Sequence, residues 1–427
     1  MLSSDFISRA IVHRKAVVEL IRSTCVVALG PAAQLAMIAL LSHYLSLNDL
    51  GIYLALIVLL PFFADAIGIG SNEVLIRNVA RRRDEFPVWF GNHVVCILLT
   101  FPAAVAAFVA IMALTSAKDV PILWLVALGG CDMLGTRLLT SAEDIALTLQ
   151  KRKAGDVLRL AGPMTRLLAV VVVVSSGMTR DPSLLAVLIA LPVCGIGVAA
   201  FVAIGWVSGK PLLAAPREWR LGLHFFLNTM CRTAQGPVDR YALSFVFPAA
   251  QFAIFVIAAR ILQNATIPVL SIVRYNYPTY FAEGVHGAER AIRFGLSMLP
   301  YMLVVGMLST IAAILLAPLL RFILDKDLGS TVGLIQLGAP SLLLNAIYYV
   351  GADILSGADR QILRALVNLT AFVVQLVLVV LLAFWLGPYG AIYGLLGSAA
   401  LAAGLPWLII SRTLAAAPLL SSRRILR

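Results

Sequence analysis

Twelve apolar runs, each close to the length of one membrane crossing, constrain this chain more than any other feature. A transmembrane helix needs about 20 consecutive apolar residues. We call the runs spans one to twelve; they lie near residues 20–44, 50–71, 88–114, 122–147, 160–176, 184–207, 222–246, 252–275, 292–317, 332–356, 364–386 and 390–411. The sequence therefore predicts an all-α polytopic membrane protein with about twelve transmembrane helices.

The composition excludes the main alternative classes. Apolar residues make up 61% of the chain and charged residues 13%, whereas soluble domains have about 45–50% and 25%. A soluble enzyme is excluded on this ground, and so is a disordered protein, which requires low hydrophobicity and high charge.

The distribution of basic residues predicts the orientation in the membrane. Cytoplasmic loops retain Lys and Arg, and most of the 33 basic residues fall in alternate loops if both termini are cytoplasmic. Losing or adding one span would destroy this alternation. We call the side that carries residues 76–83 and 151–159 the arginine-rich side. The first twenty residues lack the apolar core of a cleavable signal peptide.

Weak similarities between the two halves predict two lobes. Spans three and nine both open with Phe-Gly, at Phe90 and Phe294, and spans five and eleven both follow Leu-Arg. These pairs lie about half the chain apart, as in transporters built from repeats. We predict an N-terminal six-helix lobe over residues 1–215 and a C-terminal six-helix lobe over residues 216–427.

No pattern typical of a cofactor, a metal or catalysis occurs. The five cysteines lie in apolar segments without a CxxC pair, so we interpret them as small buried side chains. The sequence has neither HExxH nor a phosphate-binding loop. Gly390 and Gly394 form a small-xxx-small pair that predicts close helix packing. We therefore expect no cofactor, no metal and no enzymatic activity.

A polar stripe on span seven indicates a cavity. Asn228, Arg232, Gln235 and Asp239 recur at helical spacing, and Arg240 follows directly. Because each charge at the bilayer centre costs at least about 2.5–3.5 kcal/mol, such a stripe faces protein or water. The alternative is a set of internal ion pairs that fix helix packing.

Other spans continue the pattern. Span eight adds Arg260, Gln263, Asn264 and Arg274. Span four carries Asp132 and Arg137, and an ion pair between these two residues would also explain why they lie within a span. Span one contributes Gln34, and span ten contributes Asn345, Tyr349 and Asp353. Arginine predominates over carboxylates in spans seven and eight. Since the arginine fork binds phosphate oxygens in a bidentate manner, the excess favours a phosphate-bearing ligand.

Several stretches resemble the polysaccharide-biosynthesis export family, the flippases of lipid-linked O-antigen and exopolysaccharide units. That family belongs to the superfamily that also holds the multidrug and toxic-compound extrusion transporters. The similar stretches are His43–Tyr53, Ala64–Gly70, Ile76–Ala80, Val238–Tyr241, Ala258–Leu262 and Gly387–Tyr393.

The resemblance implies two six-helix lobes around a central cavity, working by alternating access. It also implies an undecaprenyl-diphosphate-linked oligosaccharide of lipopolysaccharide, capsule or exopolysaccharide as substrate, and a place in a bacterial inner membrane. We expect contact with membrane lipids, with a polysaccharide polymerase and with chain-length machinery, and none with nucleic acid.

On this interpretation the polar residues divide into three predicted roles. Arg232, Arg240 and Arg260 would hold the diphosphate or acidic sugars. Asn228, Gln235, Gln263 and Asn264 would bind sugar hydroxyls, and Arg77 and Arg274 would capture the headgroup at the cytoplasmic mouth.

The source of energy and two rival functions stay open. Asp239, Asp353 and Asp132 are candidate carriers of a coupling proton or sodium ion; downhill transport driven by polymerisation is the alternative. A drug or cation exporter of the same fold is one rival function, and a membrane glycosyltransferase or polymerase is a weaker one, because no external loop is long enough to hold catalytic groups.

Overall fold

The computed structural model describes residues 29–114, 120–208, 218–234, 236–284, 286–323, 329–358 and 360–421. At some helical positions within these ranges only the backbone is described.

The described part of the first half of the chain forms nine helices. They are α1 (29–44), α2 (Leu47–Val58), α3 (Leu60–Ala66), α4 (Ser71–Arg81), α5 (Phe86–Ala113), α6 (Ile122–Leu128), α7 (Leu134–Thr148), α8 (Arg152–Ser176) and α9 (Pro182–Ser208). A 3₁₀ turn, Arg83–Glu85, precedes α5, and a π-helical turn, Gly129–Met133, joins α6 to α7.

The described part of the second half continues with nine more helices. They are α10 (Trp219–Ala234), α11 (Pro237–Leu243), α12 (Ala249–Ala265), α13 (Ile267–Gly284), α14 (Ala288–Leu316), α15 (Leu320–Ile323), α16 (Ser330–Gly338), α17 (Pro340–Gly357) and α18 (Gln361–Ser421). A 3₁₀ turn, Ala317–Leu319, lies between α14 and α15.

These helices form the twelve predicted spans. In the described ranges, nine helical stretches are long and apolar enough to cross a membrane. The last of them, Ile362–Arg412, has 51 residues, which is about 75 Å of helix against a hydrocarbon core of about 30 Å. It breaks at Gly387, where φ is 62° and ψ is −147°, and therefore makes two spans. Residues 29–44 form span one, and the pair α10–α11 forms span seven.

The two halves of α18 pack against each other as a tight antiparallel hairpin. A Cβ atom on Gly390 would lie 1.9 Å from the carbonyl oxygen of Leu382, and one on Gly394 would lie 2.6 Å from the Cα atom of Val379. Only a residue without a side chain fits at such distances, so the close packing predicted for Gly390 and Gly394 is confirmed.

Proline interrupts the spans that surround the centre of the molecule. Pro61, Pro237, Pro268 and Pro340 each lie in the first two residues of a helix, where a span has just been broken. Proline is tolerated there because the first turn of a helix leaves its N–H groups unpaired. Spans two, seven, eight and ten thus consist of two helical segments each.

The apolar side chains divide between a core and a lipid-facing surface. Tyr53, Phe108 and Phe255 are among the largest fully buried side chains, whereas Phe384 and Trp385 are 68% and 80% exposed. Exposed apolar residues of this size are expected where a helix faces lipid.

One helix start outside the hydrocarbon shows how the loops fix a span. The Asp181 carboxylate accepts hydrogen bonds from the backbone N–H of Ser183 at 2.7 Å and from its hydroxyl at 2.5 Å. This is the N-cap arrangement that satisfies unpaired N–H groups at a helix start. The hydrogen bonds from Ser183 lower the pKa of Asp181 below its ordinary value.

Candidate functional site

A central cavity of about 520 Å³ lies between the two lobes. Residues from spans one, two, four, five and six line it on one side, and residues from spans seven and eight line it on the other. Among the described side chains, its charged lining consists of three arginines and one carboxylate, namely Arg166, Arg240, Arg260 and Asp132. These side chains give the cavity a formal excess of two positive charges.

The carboxylate Asp132 is held by an arginine from span five. Asp132 lies in the π-helical turn of span four, and such turns frequently occur at functional sites. The guanidinium of Arg166 donates to its Oδ1 at 2.7 Å and to the Thr136 hydroxyl at 2.7 Å. The suggested Asp132–Arg137 ion pair is therefore wrong, because the partner of Asp132 is Arg166.

Among the described residues, no carboxylate forms an ion pair with the other two cavity arginines, Arg240 and Arg260. No ion pair within 4.0 Å joins Arg240 or Arg260 to an acidic side chain in the part of the chain that the structure describes. Arg240 instead donates to Oε1 of Gln263 at 3.0 Å. Guanidinium groups that lack an internal counter-ion in a membrane protein can bind an anion from outside, and planar oxyanions suit them best.

The structure brings four of the predicted ligand-binding residues together. Arg240, Arg260, Gln263 and Asn264 all line the central cavity. Asn228 and Arg232 lie on α10, and Arg274 lies on α13. Only the backbone is described at these three positions. Gln235 lies outside the described ranges. The roles of these four residues stay predictions.

Arg77 contacts the opposite lobe. Its guanidinium lies 3.6 Å from Oε2 of Glu218, and the Asn78 amide donates to the same oxygen at 3.2 Å. Both partners of the ion pair are more than a third exposed, so the pair contributes little free energy. Headgroup capture by Arg77 stays a prediction.

A second cavity, of about 270 Å³, lies within the C-terminal lobe and adjoins the first. Arg240, Gln263 and Leu270 line both cavities. We call this space the C-lobe annex. The rest of its polar lining comes from spans seven, eight, ten, eleven and twelve; it includes Asp239, Thr266, Ser341, Asn345, Tyr348, Tyr349, Gln375 and Ser398.

The three candidate coupling carboxylates have different environments. Asp239 is 2% exposed, lines the C-lobe annex and accepts a hydrogen bond from the Gln375 amide at 2.7 Å. Asp353 is buried and lies 3.3 Å from the Arg364 guanidinium. Because Asp132 is also paired, Asp239 is the one of the three without a guanidinium within 4.0 Å among the described side chains.

A third cavity, of about 450 Å³, has the opposite charge character. It lies towards the arginine-rich side, and its described lining includes four carboxylates and two arginines; these are Asp65, Glu73, Glu143, Asp144, Arg137 and Arg159. We call it the N-lobe acidic pocket. No group of three His, Cys, Asp or Glu side chains within the described ranges is arranged to hold a metal ion.

Several buried polar atoms of the N-lobe acidic pocket have no hydrogen-bond partner among the residues that the structure describes. Arg159 pairs with Glu143 at 2.7 Å, and the Asn72 amide donates to Asp144 at 2.7 Å. Oδ1 of Asn72, Oε2 of Glu73 and Nε of Arg137 are buried without a hydrogen bond in the structure as described. Unpaired buried acceptors beside carboxylates favour a cation or a proton.

The lobes touch each other at both ends of the central cavity. Far from the arginine-rich side, a Cβ atom on Gly51 would lie 2.0 Å from the carbonyl oxygen of Ala249. Towards the arginine-rich side, a Cβ atom on Gly70 would lie 2.1 Å from the carbonyl oxygen of Gly222. Spans two and eight are thus in backbone contact at one end, and spans two and seven at the other.

Sequence reasoning missed Arg166. It stands alone in its part of span five, without polar neighbours at the three- and four-residue spacings that revealed the stripes of spans seven and eight. One signal was present, because Arg159 lies seven residues earlier and thus on the same helical face.

Comparison with solved structures shows which fold this is. A multidrug resistance MATE family transporter of the MOP superfamily, in an inward-facing conformation, matches with a TM-score of 0.71 and 14% identity over 93% of this chain and 98% of that one. The lipid II flippase MurJ, in an inward closed conformation, matches with a TM-score of 0.67 and 14% identity over 92% of this chain and 87% of that one. The MATE multidrug transporter DinF-BH matches with a TM-score of 0.64 and 15% identity over 92% of this chain and 94% of that one.

No protein-family model matches the sequence, and no curated protein matches it either. Identities this low establish the fold alone. The chain thus has twelve transmembrane helices in two six-helix lobes around a central cavity. The boundary between the lobes at residues 215 and 216 falls outside the described ranges and stays a prediction.

Proposed function

We propose that this protein is a flippase that moves an undecaprenyl-diphosphate-linked oligosaccharide across the bacterial inner membrane by alternating access. The observation that carries the proposal is the central cavity, in which Arg166, Arg240 and Arg260 converge from both lobes. The similarity to MurJ supports a lipid-linked substrate, since MurJ is a lipid II flippase.

The chemistry of such a substrate fits this cavity. A diphosphate and its sugars cannot cross hydrocarbon unaided, because each unpaired polar group costs several kcal/mol there. Arg240 and Arg260, which lack carboxylate partners among the described residues, supply charge for the diphosphate, while the polyprenyl chain stays in lipid. Gln263 and Asn264 provide hydrogen bonds to sugar hydroxyls. The proposal also includes the binding roles that the sequence predicts for five further residues, Arg232, Asn228, Gln235, Arg77 and Arg274.

Within this proposal, Asp239 is the coupling residue that the geometry favours over Asp132 and Asp353. Its carboxylate is buried beside the C-lobe annex and is held by an amide rather than by a guanidinium. A carboxylate of this kind can take up and release a proton or sodium ion without breaking an ion pair. The surface polysaccharide polymerase and chain-length proteins are proposed partners on the other side of the membrane.

The test is complementation of a deletion strain, with the lipid-linked glycan pool measured by mass spectrometry. We expect deletion to accumulate undecaprenyl-diphosphate oligosaccharide and to abolish surface polysaccharide. Arg260→Ala at wild-type protein level should fail to restore export. Arg290→Ala, which changes an exposed arginine of α14, is the matched control and should restore it. Full export by Arg260→Ala would overturn the proposal.

A drug or cation exporter is the second candidate, and a specific observation favours it. The N-lobe acidic pocket supplies the carboxylates that a cationic compound needs, and a multidrug transporter shares the fold. If this alternative is correct, the deletion strain becomes sensitive to ethidium and keeps an unchanged glycan pool. Asp144→Asn would then abolish ethidium efflux in membrane vesicles.

A further inference from the structure

The C-lobe annex differs in chemistry from the central cavity that it adjoins. Its polar lining is mainly neutral and consists of hydroxyl and amide side chains, among them Ser341, Asn345, Gln375 and Ser398. Among the described residues, the only charged side chains in its lining are Asp239 and Arg240, and Arg240 lies at the boundary with the central cavity.

Two aromatic rings complete this lining. Tyr348 and Tyr349 lie next to each other on α17, with ring centroids 5.1 Å apart and planes inclined by 57°. The Tyr348 hydroxyl donates to Oδ1 of Asn368, which fixes its ring. Aromatic faces beside amides and hydroxyls are suited to a pyranose, whose C–H faces are apolar and whose edge carries hydroxyls.

The position of the annex relates it to one part of the substrate. In a lipid diphosphate glycan the first sugar is bonded directly to the diphosphate. A diphosphate held by Arg240 and Arg260 would therefore place that sugar next to Arg240 and Gln263, which line both cavities. The remaining sugars would extend into the larger central cavity.

The charge of the annex constrains that sugar. A uronic acid would bring a second carboxylate towards the buried Asp239, and Arg240 is the only cationic side chain in the described lining that could balance it. A buried carboxylate without its own partner is strongly disfavoured. An uncharged sugar has no such cost.

We propose that the C-lobe annex binds the first sugar of the lipid diphosphate glycan, and that this sugar is uncharged. The inference rests on the proposed flippase function and specifies its substrate. Asn345 and the hydroxyl of Ser341, one turn apart on α17, provide its hydrogen bonds.

The experiment measures dissociation constants of short lipid diphosphates for the purified full-length protein in nanodiscs. The probes are citronellyl diphosphate and its glucosyl, galactosyl, N-acetylglucosaminyl and glucuronosyl derivatives. At least one neutral sugar should tighten binding about tenfold relative to the bare diphosphate, and the glucuronosyl derivative should give no gain. The Asn345→Ala and Ser341→Ala proteins should lose most of the affinity that the neutral sugar adds. Both should bind the bare diphosphate as tightly as the wild type does.

Gln336→Ala is the matched control. Gln336 lies on α16 in the same span and donates to the carbonyl oxygen of Ile314; it does not line the annex. This variant should keep all of the affinity that the neutral sugar adds to the bare diphosphate. Ser341→Ala removes a single oxygen, so it keeps the test valid if Asn345→Ala fails to fold.

The outcomes separate this inference from the function on which it rests. If no probe binds, the bare diphosphate included, the flippase proposal itself fails. If the bare diphosphate binds and no neutral sugar adds affinity, only the annex inference fails. It also fails if the glucuronosyl derivative binds tightest, or if the gain persists in both α17 variants.

Discussion

The contact between Gly51 and Ala249 should decide whether the central cavity is closed on the side away from the arginine-rich loops. In Gly51→Ala the new Cβ atom would lie 2.0 Å from the Ala249 carbonyl oxygen, whereas ordinary contacts begin at 3.4 Å. Spans two and eight must therefore separate by about 1.4 Å. Overpacking of this kind costs about 1–3 kcal/mol. Because opening on that side would separate the two spans and relieve this clash, the equilibrium should shift towards opening by about 5- to 150-fold.

The assay is the rate at which a membrane-impermeant maleimide labels Ile57→Cys, a position that lines the central cavity. The five native cysteines are replaced first. We expect labelling from the side away from the arginine-rich loops to become at least about fivefold faster in Gly51→Ala. Gly404→Ala is the matched control, since a Cβ atom there meets nothing within 4 Å. An unchanged rate in a folded Gly51→Ala protein would refute this account of the closure.

Three further predictions concern stability, each measured as the thermal unfolding midpoint of the purified protein. Removing one partner of the Asp132–Arg166 pair leaves a charge without its counter-ion, so Asp132→Asn and Arg166→Gln should each destabilise by up to about 3 kcal/mol, and the double variant by less than the sum of the two. Gly394→Ala should destabilise by about 1–3 kcal/mol, whereas Gly397→Ala, whose nearest neighbour is a side-chain atom at 3.4 Å, should not. Asp181→Ala should cost about 1 kcal/mol at neutral pH through loss of its cap. Because the pKa of Asp181 is lowered in the folded state, that cost should disappear as the pH falls through this pKa.

The features that could be predicted from the sequence are those set by local periodicity. The spans follow from runs of apolar residues, and the Gly390–Gly394 packing follows from a four-residue spacing. Arg260, Gln263 and Asn264 share one cavity because they lie within about one turn of a single helix. These properties depend on helix geometry alone and not on which helices become neighbours.

The features that could not be predicted depend on the arrangement of helices in space. The sequence offers an Asp132–Arg137 pair as an alternative because both residues lie on span four, but the partner of Asp132 is Arg166 from span five. The sequence makes Asp353 a candidate ion carrier but does not reveal its partner Arg364, which lies at the start of span eleven. The N-lobe acidic pocket brings together Asp65 and Glu73 with residues of span four, which no spacing within one helix could reveal.

The distribution of charge between the lobes favours an anionic substrate over a cationic one. A ligand drives a conformational change only if it binds the two states with different affinity. Arg166 belongs to the N-terminal lobe and Arg240 and Arg260 to the C-terminal lobe, so an anion that bridges them changes its contacts whenever the lobes move. The four carboxylates of the N-lobe acidic pocket all lie in the N-terminal lobe. A cation bound there keeps its charged partners during that movement, so its binding would not drive the lobes apart or together.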